Sequence, residues 1–80
     1  MFCVYILQSC IDRRYYIGMT SQLVEERLKD HNQGKSSYTK KFSPWKLVWF
    51  CCFSKEEKAM AFESYLKTGS GYAFSRKRLV

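Results

Sequence analysis

Two short segments rich in β-forming residues constrain the fold of this chain most strongly. Residues 2–7 are apolar on both faces, and residues 15–19 have the same β-forming character. The polar stretch that joins them, residues 8–14, is too short for a crossover connection, so the two segments are predicted to pair as an antiparallel hairpin. The faces of the resulting sheet must be covered, and the segments that follow supply helices for this purpose.

The rest of the chain predicts two helices and a third strand. Thr20 or Ser21 can cap a first helix that runs to about Gln33, where Gly34 provides a stop. The remaining predicted elements are a basic, turn-rich loop (35–44), a third strand (46–53), a second helix opened by a capping box of Ser54 and Glu57 and running to Lys67, a glycine-rich stop (69–71) and a short C-terminal helical segment (72–79). We therefore expect a single domain, residues 1–80, with an α/β fold of the α+β type. A small three-stranded antiparallel sheet would be flanked by helices in the order β-β-α-β-α.

The net charge favours a polyanionic partner. The 80 residues include 14 Lys and Arg against 7 Asp and Glu, which gives a formal charge of +7. Nucleic acid is the first candidate partner, an anionic membrane surface is the second, and a protein that is merely basic is the third interpretation. The chain enters a strand at once without a signal peptide, and no apolar stretch approaches the ~20 residues that span a bilayer. We therefore expect a cytoplasmic protein with no membrane partner.

The cysteines do not form a metal-binding pattern. No C-x-x-C pair is present, and His31 is the only histidine. Cys51 and Cys52 are adjacent in a predicted strand, so their side chains should point to opposite faces and cannot easily share one metal ion. We expect all of the cysteines, including Cys3 and Cys10, to be reduced, small buried side chains.

Two ionisable residues fall on the apolar side of the first predicted helix. On a wheel of ~100° per residue, Leu23, Val24 and Leu28 form an apolar sector. Arg27 and His31 lie inside this sector, one turn apart, although unpaired buried charge is costly. Taken singly, Arg27 could extend along the edge of the core and His31 could be a hydrogen-bonded core histidine. Their occurrence together favours a polar partner or a cleft.

A carboxylate, two tyrosines and the basic loop complete the candidate site. Glu63 lies at the edge of the apolar stripe of the second helix, where a partly shielded carboxylate can hold a hard cation through one oxygen while water completes the octahedron. Tyr5 and Tyr16 lie on the hairpin strands and could be cross-strand neighbours, either as core residues or aimed at a phosphate and an attacking water. We expect these three residues to line one concave surface with Arg27 and His31, because helices and hairpin would direct them to the same sheet face. The loop adds a candidate nucleic-acid-binding rim of Lys35, Tyr38, Lys40 and Lys41.

In this order and spacing, the residues resemble the GIY-YIG nuclease family over nearly the whole chain. The first tripeptide of the family matches residues 3–5, Cys-Val-Tyr, and the second matches residues 16–18, Tyr-Ile-Gly. The helix arginine of the family matches Arg27, a histidine found four residues later in many members matches His31, and the metal-binding glutamate matches Glu63. The chain is most similar to the small stand-alone, single-domain bacterial members.

The resemblance implies a metal-dependent endonuclease that hydrolyses nucleic-acid phosphodiester bonds in DNA repair or processing. It implies one divalent cation, Mg²⁺ or Mn²⁺, and no small-molecule cofactor. Glu63 would hold the metal, Arg27 would neutralise charge on the equatorial oxygens, and Tyr5 would position water or phosphate. The base that activates the water is either His31, whose ordinary pKa suits this role, or Tyr16, deprotonated with the help of a nearby metal or lysine. The resemblance favours Tyr16 with His31 assisting.

Two other functions stay open at the level of sequence. Many family members have an asparagine in the C-terminal region, whereas the only asparagine here is Asn32 in the first helix. This difference supports a non-catalytic, basic nucleic-acid-binding module of the same fold, and a basic protein-interaction domain is the third class. DNA is favoured over RNA as the partner. Strong specificity would require a homodimer or a targeting protein partner, because 80 residues leave no room for a separate targeting domain.

Overall fold

The computed structural model describes all 80 residues, which form a three-stranded antiparallel sheet with helices on both sides. The elements, in chain order, are β1 (Phe2–Ser9), β2 (Tyr15–Thr20), α1 (Val24–Asn32), α2 (Ser37–Lys40), β3 (Trp45–Phe53), α3 (Glu56–Leu66) and α4 (Gly69–Arg78). The predicted α+β class, the order β-β-α-β-α and the short C-terminal helix, which is α4, are confirmed, and α2 is an additional short helix. None of the four helices combines the length and the apolar character needed to cross a bilayer.

The central strand is β1, which pairs with β2 on one side and β3 on the other. The hairpin register sets Tyr5 opposite Gly18 and Leu7 opposite Tyr16. Tyr5 and Tyr16 are therefore diagonal neighbours on one face of the sheet rather than a directly opposed pair. Arg13, in the hairpin loop, has a φ of 69°.

Alternate residues of β1 supply two separate cores, one on each face of the sheet. The core beneath α1 contains Cys3, Tyr5, Leu7, Val24 and Trp45, and the core beneath α3 contains Val4, Ile6, Ala59 and Leu66. Because β1 is central and buried on both faces, its sequence is apolar from Phe2 to Leu7 rather than alternating, and only its last two residues, Gln8 and Ser9, are polar. The helices α1 and α3 consequently pack on opposite faces, so the expectation that their polar residues point to the same sheet face is wrong.

Neither of the predicted side-chain caps is present. Leu23 occupies the N-cap position of α1, because Thr20 uses its hydroxyl to accept a hydrogen bond from the N–H of Gln22, 3.1 Å away, in the preceding turn. Lys55 precedes α3 and also makes no capping hydrogen bond. The predictions of a cap at Thr20 or Ser21 and of a capping box at the second helix are therefore wrong. Each helix instead has two glutamates in its first turn, whose charge complements the positive end of the helix dipole.

Two segments predicted to lack regular structure contain helix. The predicted basic loop includes α2, and the predicted glycine-rich stop forms the first turn of α4, since α3 has already ended at Leu66. Thr68 caps α4 by accepting a hydrogen bond from the N–H of Gly71 at 3.1 Å. A Cβ atom at position 71 would overlap the carbonyl oxygen of Tyr65, so glycine at this point allows α4 to start close against the end of α3.

One pair of cysteines departs from the expectation. Cys3 and Cys52 are cross-strand partners in the β1–β3 ladder and form a disulfide, with their Cα atoms 3.9 Å apart. The prediction that every cysteine is reduced is wrong for this pair, because the register that brings the two together joins residues separated by 49 positions. Cys51 packs on the face opposite to Cys52, as predicted, and is free. Cys10 is also free, but it is exposed, so the expectation that it is buried is wrong.

Candidate active site

The candidate site is organised around Tyr5, whose phenol lies over the backbone of β2 at Gly18. A Cβ atom at position 18 would lie 2.5 Å from the Tyr5 oxygen and 2.6 Å from Cζ. Glycine therefore provides the space that the ring occupies. Since β2 is an edge strand, the Tyr5 hydroxyl is carried towards the edge of the sheet although the residue itself is only 1% exposed.

The Tyr5 hydroxyl is held from inside by His31. His31 is fully buried, with Nε2 2.9 Å from the Tyr5 oxygen and Nδ1 2.7 Å from Oγ1 of Thr39. The single hydroxyl proton of Thr39 is directed to the carbonyl oxygen of Ser36 at 3.4 Å, so Oγ1 accepts from Nδ1–H and Nε2 accepts the Tyr5 proton. This tautomer is assigned from the network of partners. The ring of His31 therefore has no nitrogen free for a substrate.

The protonation states of these two residues follow from their burial. Burial raises the pKa of Tyr5 to about 12, and the nearby Arg27 guanidinium only partly offsets this effect. Burial, followed by the positive charge of Arg27, lowers the pKa of His31, while Asp30 acts in the opposite direction. At neutral pH, Tyr5 is thus a neutral phenol and His31 a neutral imidazole.

Tyr16 is the accessible tyrosine of the site. Its half-buried ring packs against four aromatic groups at centroid distances of 5.1–6.4 Å, namely His31, Tyr5, Tyr38 and Trp45. The tyrosine hydroxyls that make hydrogen bonds within the chain are those of Tyr5, Tyr38 and Tyr72, and that of Tyr16 makes none. The ring of Tyr16 is therefore fixed by packing while its hydroxyl is free to meet a ligand.

Arg27 and Glu63 approach Tyr5 from different layers of the fold. Arg27 is on α1, 31% exposed at its side chain and 3.7 Å from a carboxylate oxygen of Asp30. Glu63 is on α3, 22% exposed at its side chain and 3.3 Å from Nζ of Lys67. Beyond the effect of burial, Arg27 lowers the pKa of Tyr5 while Tyr16 and Glu63 raise it, so the charges of α1 and α3 both act on this phenol, whose ring lies 6.4 Å from that of Tyr16. They meet because α3 also contacts the edge strand β2.

The predicted basic rim lies beside this site, and several of its side chains already make contacts within the chain. Lys35 pairs with Asp30 at 3.2 Å, and the stem of Lys40 packs over Gly34. Tyr38 is 47% exposed, stacks beside Tyr16 and accepts a hydrogen bond from Arg14 at 3.2 Å. Lys40 and Lys41 are exposed at the end of α2 and have no carboxylate partner.

A family model described as the GIY-YIG catalytic domain matches residues 1–75. The chain belongs to the GIY-YIG family. It is similar to UPF0213 proteins of several bacteria. It is 45% identical to one from Bacillus licheniformis over 64 residues, which are 79% of this chain and 64% of that protein. It is 42% identical to one from Streptococcus pneumoniae over 65 residues, which are 80% of this chain and 64% of that protein. A relative from Clostridium perfringens is 43% identical over 65 residues, which are 80% of this chain and 68% of that protein. The chain thus matches less than two thirds of the length of the first two relatives, and no solved structure matches it.

The candidate site contains one carboxylate that could hold a metal ion, that of Glu63. The chain has no cluster of three or more His, Cys, Asp or Glu side chains that could hold an ion by themselves. Mg²⁺, however, is commonly bound through one or two carboxylates, with water and substrate phosphate filling the other positions. The half-buried Glu63 beside Tyr5 fits this mode, with the partner Lys67 exposed enough to move away.

Sequence reasoning missed two residues that support the site. Thr39 is fully buried and holds Nδ1 of His31, and its own carbonyl accepts a hydrogen bond from Nε1–H of Trp45 at 2.7 Å. Asn32 joins α1 to β3, donating to the carbonyl oxygen of Trp45 at 3.0 Å and accepting from its N–H at 2.6 Å. The only sequence signal was the polar Thr39 among basic residues, which gave no indication of burial.

Proposed function

We propose that this protein is a divalent-metal-dependent endonuclease that hydrolyses phosphodiester bonds. We take DNA as its substrate, the cytoplasm as its location, and repair or processing as its role. The proposal rests on Tyr5, Tyr16, Arg27 and Glu63, which come from four different elements and lie near one another at one edge of the sheet. A neutral phenol, a free tyrosine hydroxyl, a guanidinium and a carboxylate are the groups needed to bind a phosphate, stabilise its transition-state charge and hold a cation.

The geometry favours Tyr16 over His31 as the group that activates water. Both ring nitrogens of His31 are engaged and the residue is fully buried, so it cannot contact the attacking water. Because the neutral Tyr5 hydroxyl donates a hydrogen bond to His31, its oxygen can only accept a further hydrogen bond, which suits it to orient a water rather than to deprotonate it. Tyr16 has the free hydroxyl, and His31 assists by packing edge-on against its ring at 5.1 Å.

Arg27 and Glu63 account for the charge that develops during cleavage. The guanidinium of Arg27 offers planar donors to the equatorial phosphoryl oxygens, and its Asp30 partner keeps it oriented. Glu63 would hold Mg²⁺ or Mn²⁺, which supplies Lewis acidity at the phosphoryl oxygen and at the leaving oxygen. The exposed Lys40 and Lys41 would contact the neighbouring backbone.

The decisive experiment is cleavage of plasmid DNA and of RNA by the purified protein in Mg²⁺ or Mn²⁺, compared with the Glu63→Gln variant. Glutamine keeps the shape of the side chain but not the charge that a hard cation requires, so we expect cleavage to be abolished and binding to be nearly unchanged. Arg27→Ala should lower the cleavage rate by about 10²-fold or more, because its charge is used mainly in the transition state.

A matched control is Glu57→Gln, which removes the same charge from an exposed position of α3. Equal cleavage by Glu63→Gln and Glu57→Gln would show that the metal assignment is wrong. Wild-type protein that binds nucleic acid but cuts neither DNA nor RNA would establish instead the non-catalytic binding module. That module is favoured by one observation, the use of the only asparagine, Asn32, as a link between α1 and β3 rather than at the site.

A further inference from the structure

Arg76 on α4 is the centre of an aromatic cluster that the candidate active site does not use. Its guanidinium carbon lies 5.1 Å from the ring centroid of Tyr15 and 5.7 Å from that of Tyr72, and Nη1 donates to the Tyr72 hydroxyl at 2.9 Å. None of the four ion pairs of the chain involves Arg76. Residues 64–80 contain no Asp or Glu at all. The guanidinium is therefore held in place by rings and a hydroxyl, without a counter-charge.

A second stacked arginine, Arg14, differs from Arg76 because it is paired with a carboxylate of the same chain. Arg14 lies 3.6 Å above the ring of Phe42, and its Nε donates to Asp12 at 2.7 Å. Its charge is thus neutralised within the chain. Arg76 lies farther from its rings, at 5.1 and 5.7 Å, but keeps most of its five N–H donors unused, and Tyr72 beside it is 45% exposed. A fixed, unpaired guanidinium next to an exposed ring can bind the phosphate of a nucleotide while the ring stacks on its base.

The position of this cluster relates it to the active site. Tyr15 and Tyr16 are consecutive on β2, so their side chains point to opposite faces, Tyr16 towards α1 and Tyr15 towards α3 and α4. Both lie at the end of β2 nearest the hairpin loop, which adds the exposed Arg13 and Arg14. A strand bound at Tyr16 can therefore reach Arg76 by passing around the edge strand at its hairpin end.

We propose that Arg76, Tyr15 and Tyr72 form a binding position for one phosphate and one unpaired base of a nucleic-acid strand that leaves the catalytic face around this end of β2. The inference rests on the proposed function for the path of the strand and deepens it by naming a single-stranded flank as part of the substrate. A base can stack on Tyr72 only when it is unstacked from its neighbours, so a blunt duplex lacks the group that this position recognises.

The test measures binding in the Glu63→Gln background, so that no substrate is consumed. The probes are a single-stranded oligonucleotide of about 16 nucleotides, a blunt duplex of the same sequence, and vesicles that contain an anionic lipid. Arg76→Ala should weaken single-strand binding by at least about fivefold and reduce the slope of log K against log salt by about one. Duplex binding should change less than twofold. Arg76→Lys should retain the salt slope but lose part of the affinity, because it keeps the charge without the planar donors.

The matched control is Arg78→Ala, which removes an equal charge from the last turn of the same helix. Its effect on single-strand binding should stay below about twofold. Equal losses from Arg76→Ala and Arg78→Ala would overturn the proposal, because binding would then follow net charge alone. Equal losses for duplex and single strand, or Arg76-dependent binding to the vesicles, would overturn it as well. If the wild type cuts nothing while Arg76 still governs single-strand binding, the catalytic proposal fails and this binding position remains.

Discussion

At position 18, the absence of a side chain decides where the phenol of Tyr5 can lie. The ring fills the space above Gly18, and the hydroxyl then reaches both the buried His31 and the charged groups at the sheet edge. Tyr5 ends the first tripeptide of the family pattern and Gly18 ends the second. In this protein the glycine is required because the tyrosine ring packs directly on it. One glycine and one tyrosine, paired across β1 and β2, therefore set the geometry on which the site depends.

The first prediction is that Gly18→Ala destabilises the fold and disturbs the site. The new Cβ would meet a rigid ring that is 1% exposed and hydrogen-bonded at its tip, so the ring cannot move away cheaply. We expect a loss of about 1–3 kcal/mol in the free energy of unfolding by urea, as for other overpacked cores. Gly69→Ala is the matched control, because a Cβ there meets nothing within 4 Å. Equal stability of the two variants would contradict the packing argument.

The second prediction concerns the pH dependence of stability at His31. The folded pKa of His31 lies below its unfolded value because of burial and Arg27, with Asp30 opposing and the neutral phenols of Tyr5 and Tyr16 as the other ring neighbours. Between these two values the unfolded chain binds the extra proton, so this contribution is present above about pH 6.5 and is lost as the pH falls towards the folded pKa.

Urea unfolding of the wild type and of His31→Gln between pH 7.5 and 5 measures this effect. The wild type should lose stability more steeply than the variant as the pH falls through this range, since the variant has no imidazole to protonate. Parallel curves for the two proteins would mean that folding does not change the pKa of His31, whereas a shallower curve for the wild type would mean that His31 carries a proton in the folded state. That result would also reverse the assigned direction of its hydrogen bond with Tyr5.

At the scale of elements, α2 connects the helix layer to β3 through one buried threonine. Thr39 accepts from His31 of α1 and, through its carbonyl, from the indole of Trp45 at the start of β3. Four residues of helix in a segment predicted to be loop thus fix the orientation of a site histidine. Gly34, with a φ of +82°, ends α1 as predicted and turns the chain so that α2 can return to it.

The third prediction tests this connection by Thr39→Val. Valine has nearly the same shape but leaves the buried Nδ1–H of His31 without an acceptor, which should cost about 1–3 kcal/mol of unfolding free energy. Thr39→Ser keeps the hydroxyl and serves as the control, and it should stay closer to the wild type in urea unfolding. If valine is tolerated as well as serine, His31 obtains no orientation from α2.

The sequence predicted those parts of the fold and site that depend on local periodicity. The hairpin and the burial of His31 follow from residue spacing along one element. The approach of Glu63 from the opposite face could not be predicted, because it depends on the strand order β2-β1-β3, which puts β2 at an edge within reach of α3. The partner of His31 could not be predicted either, because Thr39 becomes its neighbour only through the turn at Gly34.

At the scale of the whole molecule, the charge of +7 is distributed unevenly. Acidic pairs occupy the first turns of α1 and α3, near the end of the sheet opposite the hairpin loop. The exposed cations Arg13, Arg14, Lys40 and Lys41 belong to the hairpin loop and the end of α2, at the Tyr16 end of the site. A polyanion should therefore be drawn to the side of the molecule that carries the tyrosines.

The last prediction follows from this distribution. Nucleic-acid binding should weaken steeply with salt, and replacing Lys40 and Lys41 by alanine should flatten the slope of log K against log salt by about one to two, because each lost phosphate contact releases fewer counterions. Replacing Lys55, which precedes α3, and Lys58 in its first turn removes the same charge from near the opposite end of the sheet and should change the slope much less. Because both pairs change the net charge equally, a similar slope for the two double variants would attribute binding to the overall field of the protein. A smaller slope for the α2 pair alone would locate the backbone contacts beside Tyr16, and the loss should then be the same for every nucleic-acid sequence tested.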